Sequence, residues 1–166
     1  PISYNESMQR ISTLASAVAR IQHEGVLNIH DFIDRNRIRI LIMEWIDGYD
    51  LKQLLQLERL AKIASRVPAK RWDYINSVIA TAGPVHTRLK PGIAVAVVRD
   101  CLAALAALHR EGIIHGDIKP SNIMIKRTGH AKVIDIGSAF EVHNQPSIFS
   151  CTPVYAAPEV IEHNTL

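Results

Sequence analysis

The segment Ile113 to Asn122, I-I-H-G-D-I-K-P-S-N, sets a carboxylate, an ammonium and a carboxamide at fixed offsets behind an apolar pair that can anchor it. Alternate residues of an extended stretch share a side and Pro120 fixes a bend, so Asp117, Lys119 and Asn122 can converge on one small volume. Phosphoryl transfer is the chemistry such a trio suits. A carboxylate orients the attacking hydroxyl, an ammonium neutralises phosphoryl oxygens, and an amide oxygen holds a metal ion.

The order H-x-D-x-K-P-x-N from His115 to Asn122 resembles the catalytic loop of Ser/Thr protein kinases. Two later blocks fall where that family puts them. Asp135-Ile136-Gly137 is similar to the metal-binding D-F-G and follows the strand-like Ala131 to Ile134. Cys151-Thr152-Pro153 and Ala157-Pro158-Glu159 resemble the G-T-P and A-P-E that close an activation segment. Each triplet is weak alone; together, in order, they carry the resemblance. It implies an α+β, protein-kinase-like fold: residues 1–46 as part of the small lobe (the αC helix and last strands) with the entry to the hinge, and 47–166 as the first half of the helical large lobe. The latter would hold a basic insertion at about 61–91, a catalytic loop at 113–125 and an activation segment at 135–159.

The same resemblance implies roles. Asp117 would orient the substrate hydroxyl, Lys119 would stabilise the transferring phosphoryl group, and Asn122 with Asp135 would hold Mg²⁺, with ATP as donor. Thr152 would reach toward Asp117 and Lys119 and favour serine or threonine over tyrosine as acceptor. Met43 would be the gatekeeper beside adenine, Glu44 and Ile46 would offer backbone groups to the base, Asp50 would meet the ribose, and Met124 would lie beneath adenine. On pattern alone, without the downstream motifs, Met43 to Asp50 reads more readily as a strand edge and a solvated acidic turn. His115 is expected to be structural, packing on Ile136, with Val18 and Ile29 above it in one apolar spine. Gly116 replaces the arginine that commonly receives an activation-loop phosphate, so phosphorylation at Ser147 or Ser150 is not expected to be the main switch.

The elements that position these residues follow from periodicity. Met8, Ile11, Leu14, Val18 and Ile21 form a helical stripe resembling αC. The family's αC glutamate would fall at Leu14; Glu6 lies eight residues earlier, about 12 Å along a helix. His23 to Phe32 reads as a turn and strand, and Arg37 to Trp45 as a strand entering a buried sheet. Asp47-Gly48 turns into an amphipathic helix, Leu51 to Leu60. Between Ala61 and Pro91, Lys62, Arg66, Lys70, Arg71, Arg88 and Lys90 face one acid, Asp73, with Trp72, Tyr74, Ile75, Val78 and Ile79 as an apolar component of partly helical spacing. A helical insertion with a solvated basic face is the favoured expectation and a docking surface for an acidic partner the other. Gly83-Pro84 and Pro91-Gly92 read as turns. Ile93 to His109 is an Ala-rich helix carrying Val97, Cys101, Leu105 and Leu108 on one face, stopped by Glu111-Gly112, and resembles αE.

Composition bounds the rest. A chain of 166 residues, 48% hydrophobic, is long enough for one core. Two cysteines, Cys101 and Cys151, give no disulfide framework and favour a reducing, cytoplasmic setting. A net charge of +3 does not argue for nucleic acid. Pro1 to Arg20 lacks the pattern of a signal peptide, and no apolar run is expected to span a membrane. No Gly-rich phosphate loop occurs and no lysine precedes Lys52, so the remainder of a longer chain is expected as a partner, beside a protein substrate. Three functions remain: a Ser/Thr protein kinase, a pseudokinase or scaffold, and a small-molecule phosphotransferase of the aminoglycoside-kinase type, against which Lys119 and the A-P-E block count.

Overall fold

Helix α1, Tyr4–Ala19, grows from the stripe at steps of three and four and buries Leu14, Ala15, Ala17 and Val18, while Ile11 stays exposed. It packs on β1 (Ile29–Arg35), which pairs antiparallel with β2 (Ile38–Met43). The computed structural model describes residues 4–35, 38–66, 68, 75, 79–82, 87–146 and 149–163. The expected burial of the second strand is corrected here. Ile38, Ile40 and Ile42 are exposed because the two-stranded ribbon turns Phe32 and Leu41 toward the core and no described layer covers its other face; Met43, at the end of the strand, is exposed as well.

A second sheet has the order β3 (Gly48–Asp50), β7 (Ile123–Lys126), β8 (Ala131–Val133), antiparallel throughout. Gly48 is demanded by this pairing: a Cβ there would sit 2.2 Å from the Ile125 carbonyl oxygen. The turn before β1 is strapped to β8, with Leu27 N donating to Val133 O at 3.0 Å and Val133 N to Gly25 O at 2.7 Å.

Two helices, α2 (Leu51–Leu55) and α3 (Leu57–Ala64), replace the single helix expected from Leu51 to Leu60. Gln56 is extended between them, with φ −106° and ψ 117°. The stretch 61–91 is corrected as well. It holds the end of α3 and a hairpin of β4 (Ala80–Ala82) with β5 (Thr87–Leu89), so a purely helical insertion is excluded. Ile75 and Ile79 are buried in the core and Lys62, Arg66, Arg88 and Lys90 are exposed; Lys70, Arg71, Trp72, Asp73, Tyr74, Val78 and Gly83-Pro84 lie outside the described residues.

Pro91-Gly92 opens α4 (Pro91–Arg110) rather than forming a free turn, because Pro at the first helical position loses no needed N–H bond. Val97, Cys101, Ala104, Ala107 and Leu108 are buried against β8 and the short β6 (Ile113–Ile114), while Val95, Val98 and Leu102 are exposed. Contrary to the sequence expectation, α4 is long and apolar enough by composition to cross a membrane. One face of it packs on the sheets, and 28% of its apolar stretch is buried. A last helix, α5 (Pro158–His163), begins at the A-P-E block.

Candidate active site

The catalytic-loop segment is hung between two supports. Before it, β6 pairs with β9 (Phe140–Glu141), Ile113 with Glu141 and Ile114 with Phe140, and Ile113 is fully buried. After it, a 3-10 turn, Pro120–Asn122, delivers the chain into β7. His115 is 2% exposed: Nε2 donates to Ile134 O at 3.0 Å and Nδ1 accepts from Asp117 N at 3.3 Å. A carbonyl only accepts and an amide only donates, so this pair of bonds requires the neutral ring. Burial pushes its pKa below the ordinary histidine value, in the same sense. His115, Ile136, Val18 and Ile29 are all buried, and the three aliphatic members share one apolar cluster.

Gly116 has φ +78°, and a Cβ there would lie 2.5 Å from Ser138 O. A side chain at this point therefore meets both a left-handed backbone and the chain that leads out of D-I-G. Ser147 lies outside the described residues; Ser150 is exposed.

Asp117, Lys119, Asn122 and Thr152 come together. Asp117 Oδ1 accepts from the Thr152 hydroxyl at 2.7 Å and from its amide at 3.1 Å. Lys119 Nζ lies 2.5 Å from Asp117 Oδ2 and donates to Thr152 Oγ1 at 2.9 Å. Asn122 Nδ2 donates to the Asp117 carbonyl at 2.9 Å and to Oδ2 at 3.2 Å. Burial alone would raise the Asp117 carboxyl, but the bonds from Lys119 and Thr152 and the Lys119 charge outweigh it and hold it below its ordinary value. Phe140 and Phe149, with ring centroids 5.2 Å apart, brace the segment that carries Thr152.

Asp135 follows Ile134, whose amide donates to Asn122 O at 2.9 Å, so the metal-ligand candidates stand on hydrogen-bonded neighbours. Asp135 has φ 64° and is exposed; its Oδ1 accepts from Gly137 N at 2.9 Å. With Asn122 Nδ2 committed to Asp117, its Oδ1, which accepts from Ser121 Oγ at 3.5 Å, and the Asp135 carboxylate are the hard oxygens that would serve a cation. Two such ligands fit Mg²⁺, which takes its remaining positions from phosphates and water. No group of three His, Cys, Asp or Glu suited to a metal occurs among the described residues.

The nucleotide-side candidates form a separate group. Met43 ends β2 and is exposed, and Met124 on β7 is half-buried. Asp50 Oδ1 caps α2 by accepting from Gln53 N at 2.8 Å, which leaves its second oxygen for other work. Glu44 N donates to Asn28 O at 3.0 Å, and the Glu44 side chain holds a salt bridge to Lys132. Burial would raise the Glu44 carboxyl, yet the Lys132 bond, the Asn28 amide and the charges of Lys132 and Lys126 bring it below its ordinary value. Among the described residues the Ile46 amide and the Glu44 carbonyl make no bond to the protein.

Two features escape a reading of the sequence. Lys132 is 2% exposed within β8, and a lysine inside a buried strand is itself a flag for a paired charge. Asp100 on α4 caps the start of β8, accepting from Ala131 N at 3.1 Å and lying 3.4 Å from His130 Nδ1, with Arg99 beside it. Only the fold brings these partners together.

The model of the family described as "Protein kinase domain" matches residues 3–166. Serine/threonine-protein kinase PknL of Mycobacterium tuberculosis is 30% identical over 158 residues, covering 93% of this chain and 33% of the relative. Pkn1 of Myxococcus xanthus is 33% identical over 165 residues, 94% of this chain and 20% of the relative. PrkC of Bacillus subtilis is 27% identical over 135 residues, 81% of this chain and 16% of the relative. The chain thus spans a third or less of the length of these curated relatives. With a family match along almost its whole length and the D, K, N and T positions gathered at one place, the chain belongs to the protein kinase domain family.

Proposed function

We propose that this chain carries the catalytic centre of a Ser/Thr protein kinase that moves the γ-phosphoryl group of ATP to a protein hydroxyl. The observation that supports it best is the closure of Thr152 and Lys119 on the Asp117 carboxylate. The activation segment is thereby docked on the catalytic loop, an arrangement useful to a peptide acceptor and without purpose for a small molecule.

Each residue then has a task. Asp117, kept ionised by Lys119 and Thr152, takes a hydrogen bond from the acceptor hydroxyl and aims its oxygen at phosphorus. Lys119 can shift its ammonium from Asp117 toward the phosphoryl oxygens as charge redistributes. Asn122 Oδ1 and Asp135 would hold Mg²⁺, which supplies charge neutralisation on the triphosphate. The Glu44 carbonyl and Ile46 amide would meet the base as acceptor and donor, with Met43 and Met124 as apolar neighbours.

A second reading, a pseudokinase, has one observation in its favour. Leu14, where the family's αC glutamate would fall, is 7% exposed and packed in the core, so that position offers no carboxylate to orient a phosphate-holding lysine. Incubating the full-length protein with Mg-ATP and a mixed protein substrate decides between them. Phosphate incorporation should fall roughly 10²- to 10⁴-fold in Asp117→Ala. Equal incorporation by both proteins removes the enzyme reading, and nucleotide binding without turnover selects the pseudokinase.

A further inference from the structure

Lys132 takes no part in the chemistry above, yet it is the most deeply buried charged side chain on the strand that leads to Asp135. Its Nζ pairs with Glu44 Oε1, 88 positions away in sequence. The same oxygen accepts from Asn28 N at 2.6 Å, while Glu44 N returns a bond to Asn28 O at 3.0 Å. One carboxylate oxygen therefore joins the turn before β1, the exit of β2 and the middle of β8. From β8 the path is short: Ile134 N bonds Asn122 O at 2.9 Å, and Asp135 is the next residue.

A lysine buried and paired to a half-buried carboxylate is a costly way to fill a strand interior, since apolar side chains of similar volume often pack at equal or lower free energy. What it adds is direction. An ion pair fixes the separation and angle of the two backbones it joins, whereas leucine or valine would tolerate sliding. The backbones joined are the one whose Glu44 carbonyl and Ile46 amide make no bond among the described residues, and the one that presents Asp135.

We propose that Lys132 and Glu44 form a positioning pair that sets the base-reading backbone of Glu44 and Ile46 at a fixed distance from the Asn122–Asp135 metal site, and so governs nucleotide affinity. The proposal rests on the kinase reading. Lys132 itself touches neither the base nor the reacting atoms; it acts through Glu44.

Steady-state kinetics on the full-length protein test it, with Lys132→Met, Glu44→Gln and the double variant. Each single change strands a charge or weakens its partner, so the deciding reading is taken on the double variant, which strands none and whose new amide oxygen can still accept from Asn28 N. In the double variant the KM for Mg-ATP should rise about tenfold, on the scale of sub-ångström misplacement of bound groups, with kcat and the KM for the protein acceptor within about twofold of wild type. Should the double variant prove unfolded by circular dichroism, Glu44→Asp, which keeps the charge but withdraws it by one methylene, carries the same expectation. A double variant with wild-type KM for Mg-ATP overturns the proposal and leaves the pair a stability element. A fall in kcat at unchanged KM overturns it too. A wild-type protein that neither binds nor turns over Mg-ATP instead fails the kinase reading itself, a result separate from a working wild type with an indifferent pair.

Discussion

Around Asp117 the polar side chains bind one another: Lys119, Asn122 and Thr152 each place a donor on it, two of them from within five residues. Around Glu44 a single carboxylate reaches to a lysine 88 positions away, while its neighbours Met43 and Trp45 are 45% and 92% exposed. The first region is organised by its own loop plus one docked segment; the second depends on a long-range pair. The lesson is that damage should separate. Changes near Asp117 should appear in kcat, and changes near Glu44 in nucleotide affinity.

Thr152 offers the sharpest break of that contrast. Thr152→Val keeps the amide bond to Asp117 but removes the hydroxyl that bonds both Asp117 and Lys119. Hydrogen bonds to charged groups contribute about 1.5–3 kcal/mol each, so with two lost kcat should drop roughly 10²- to 10⁴-fold at nearly constant KM for Mg-ATP. Thr152→Ser, which restores the hydroxyl, should recover most of it. A Thr152→Val enzyme with wild-type kcat would show that the docked segment is not part of the catalytic geometry.

Next in size is Gly116→Ala. The left-handed backbone costs a non-glycine residue about 1–2 kcal/mol, and the added Cβ also meets Ser138 O at 2.5 Å. Chemical denaturation should show at least that loss, with kcat reduced because β9 and the turn after Asp135 must give way. Unchanged stability would mean that the loop relaxes without cost, and the first region would then be less rigid than its hydrogen bonds suggest.

How much of the molecule is legible in its sequence follows from range. The loop trio, the α1 stripe, and α4 with its stop at Gly112 are written in local spacing, so the sequence alone suffices for them. Asp135 stands beside Asn122 in the sequence reading by family order alone; the Ile134–Asn122 bond is what the chain uses to bring them close. The stretch 61–91 misleads because partly helical spacing at Ile75 and Ile79 also satisfies burial beside a hairpin. Gln56 breaks the helix expected there although its own propensity favours helix, so tertiary context overrides it. The exposed isoleucines of β2 look like core residues because hydropathy reports what could be buried, not which face is covered. Lys132 and Glu44 are far apart in sequence and each is ordinary by itself, so no local pattern pairs them.

The smallest expected effect separates the two titrating groups of the catalytic loop by pH. His115 has its folded pKa lowered by burial, so below the unfolded value of about 6.5 the unfolded chain takes up a proton that the folded ring refuses. Stability should therefore fall as pH drops from about 6.5 toward the folded value, and be indifferent to this group above it. Asp117 has the opposite history: its folded pKa is also lowered, but as an acid it contributes stability that is complete above about 4 and is lost as pH falls through its folded value. His115→Gln should thus flatten the wild-type slope of unfolding free energy between pH 7 and 5 without altering the acid limb below pH 4. The chain has eight histidines, so the difference between wild type and variant is the quantity to measure. An identical slope in both would mean that the ring accepts its proton in place, and that the bonds from Nε2 to Ile134 O and from Asp117 N to Nδ1 do not hold it neutral.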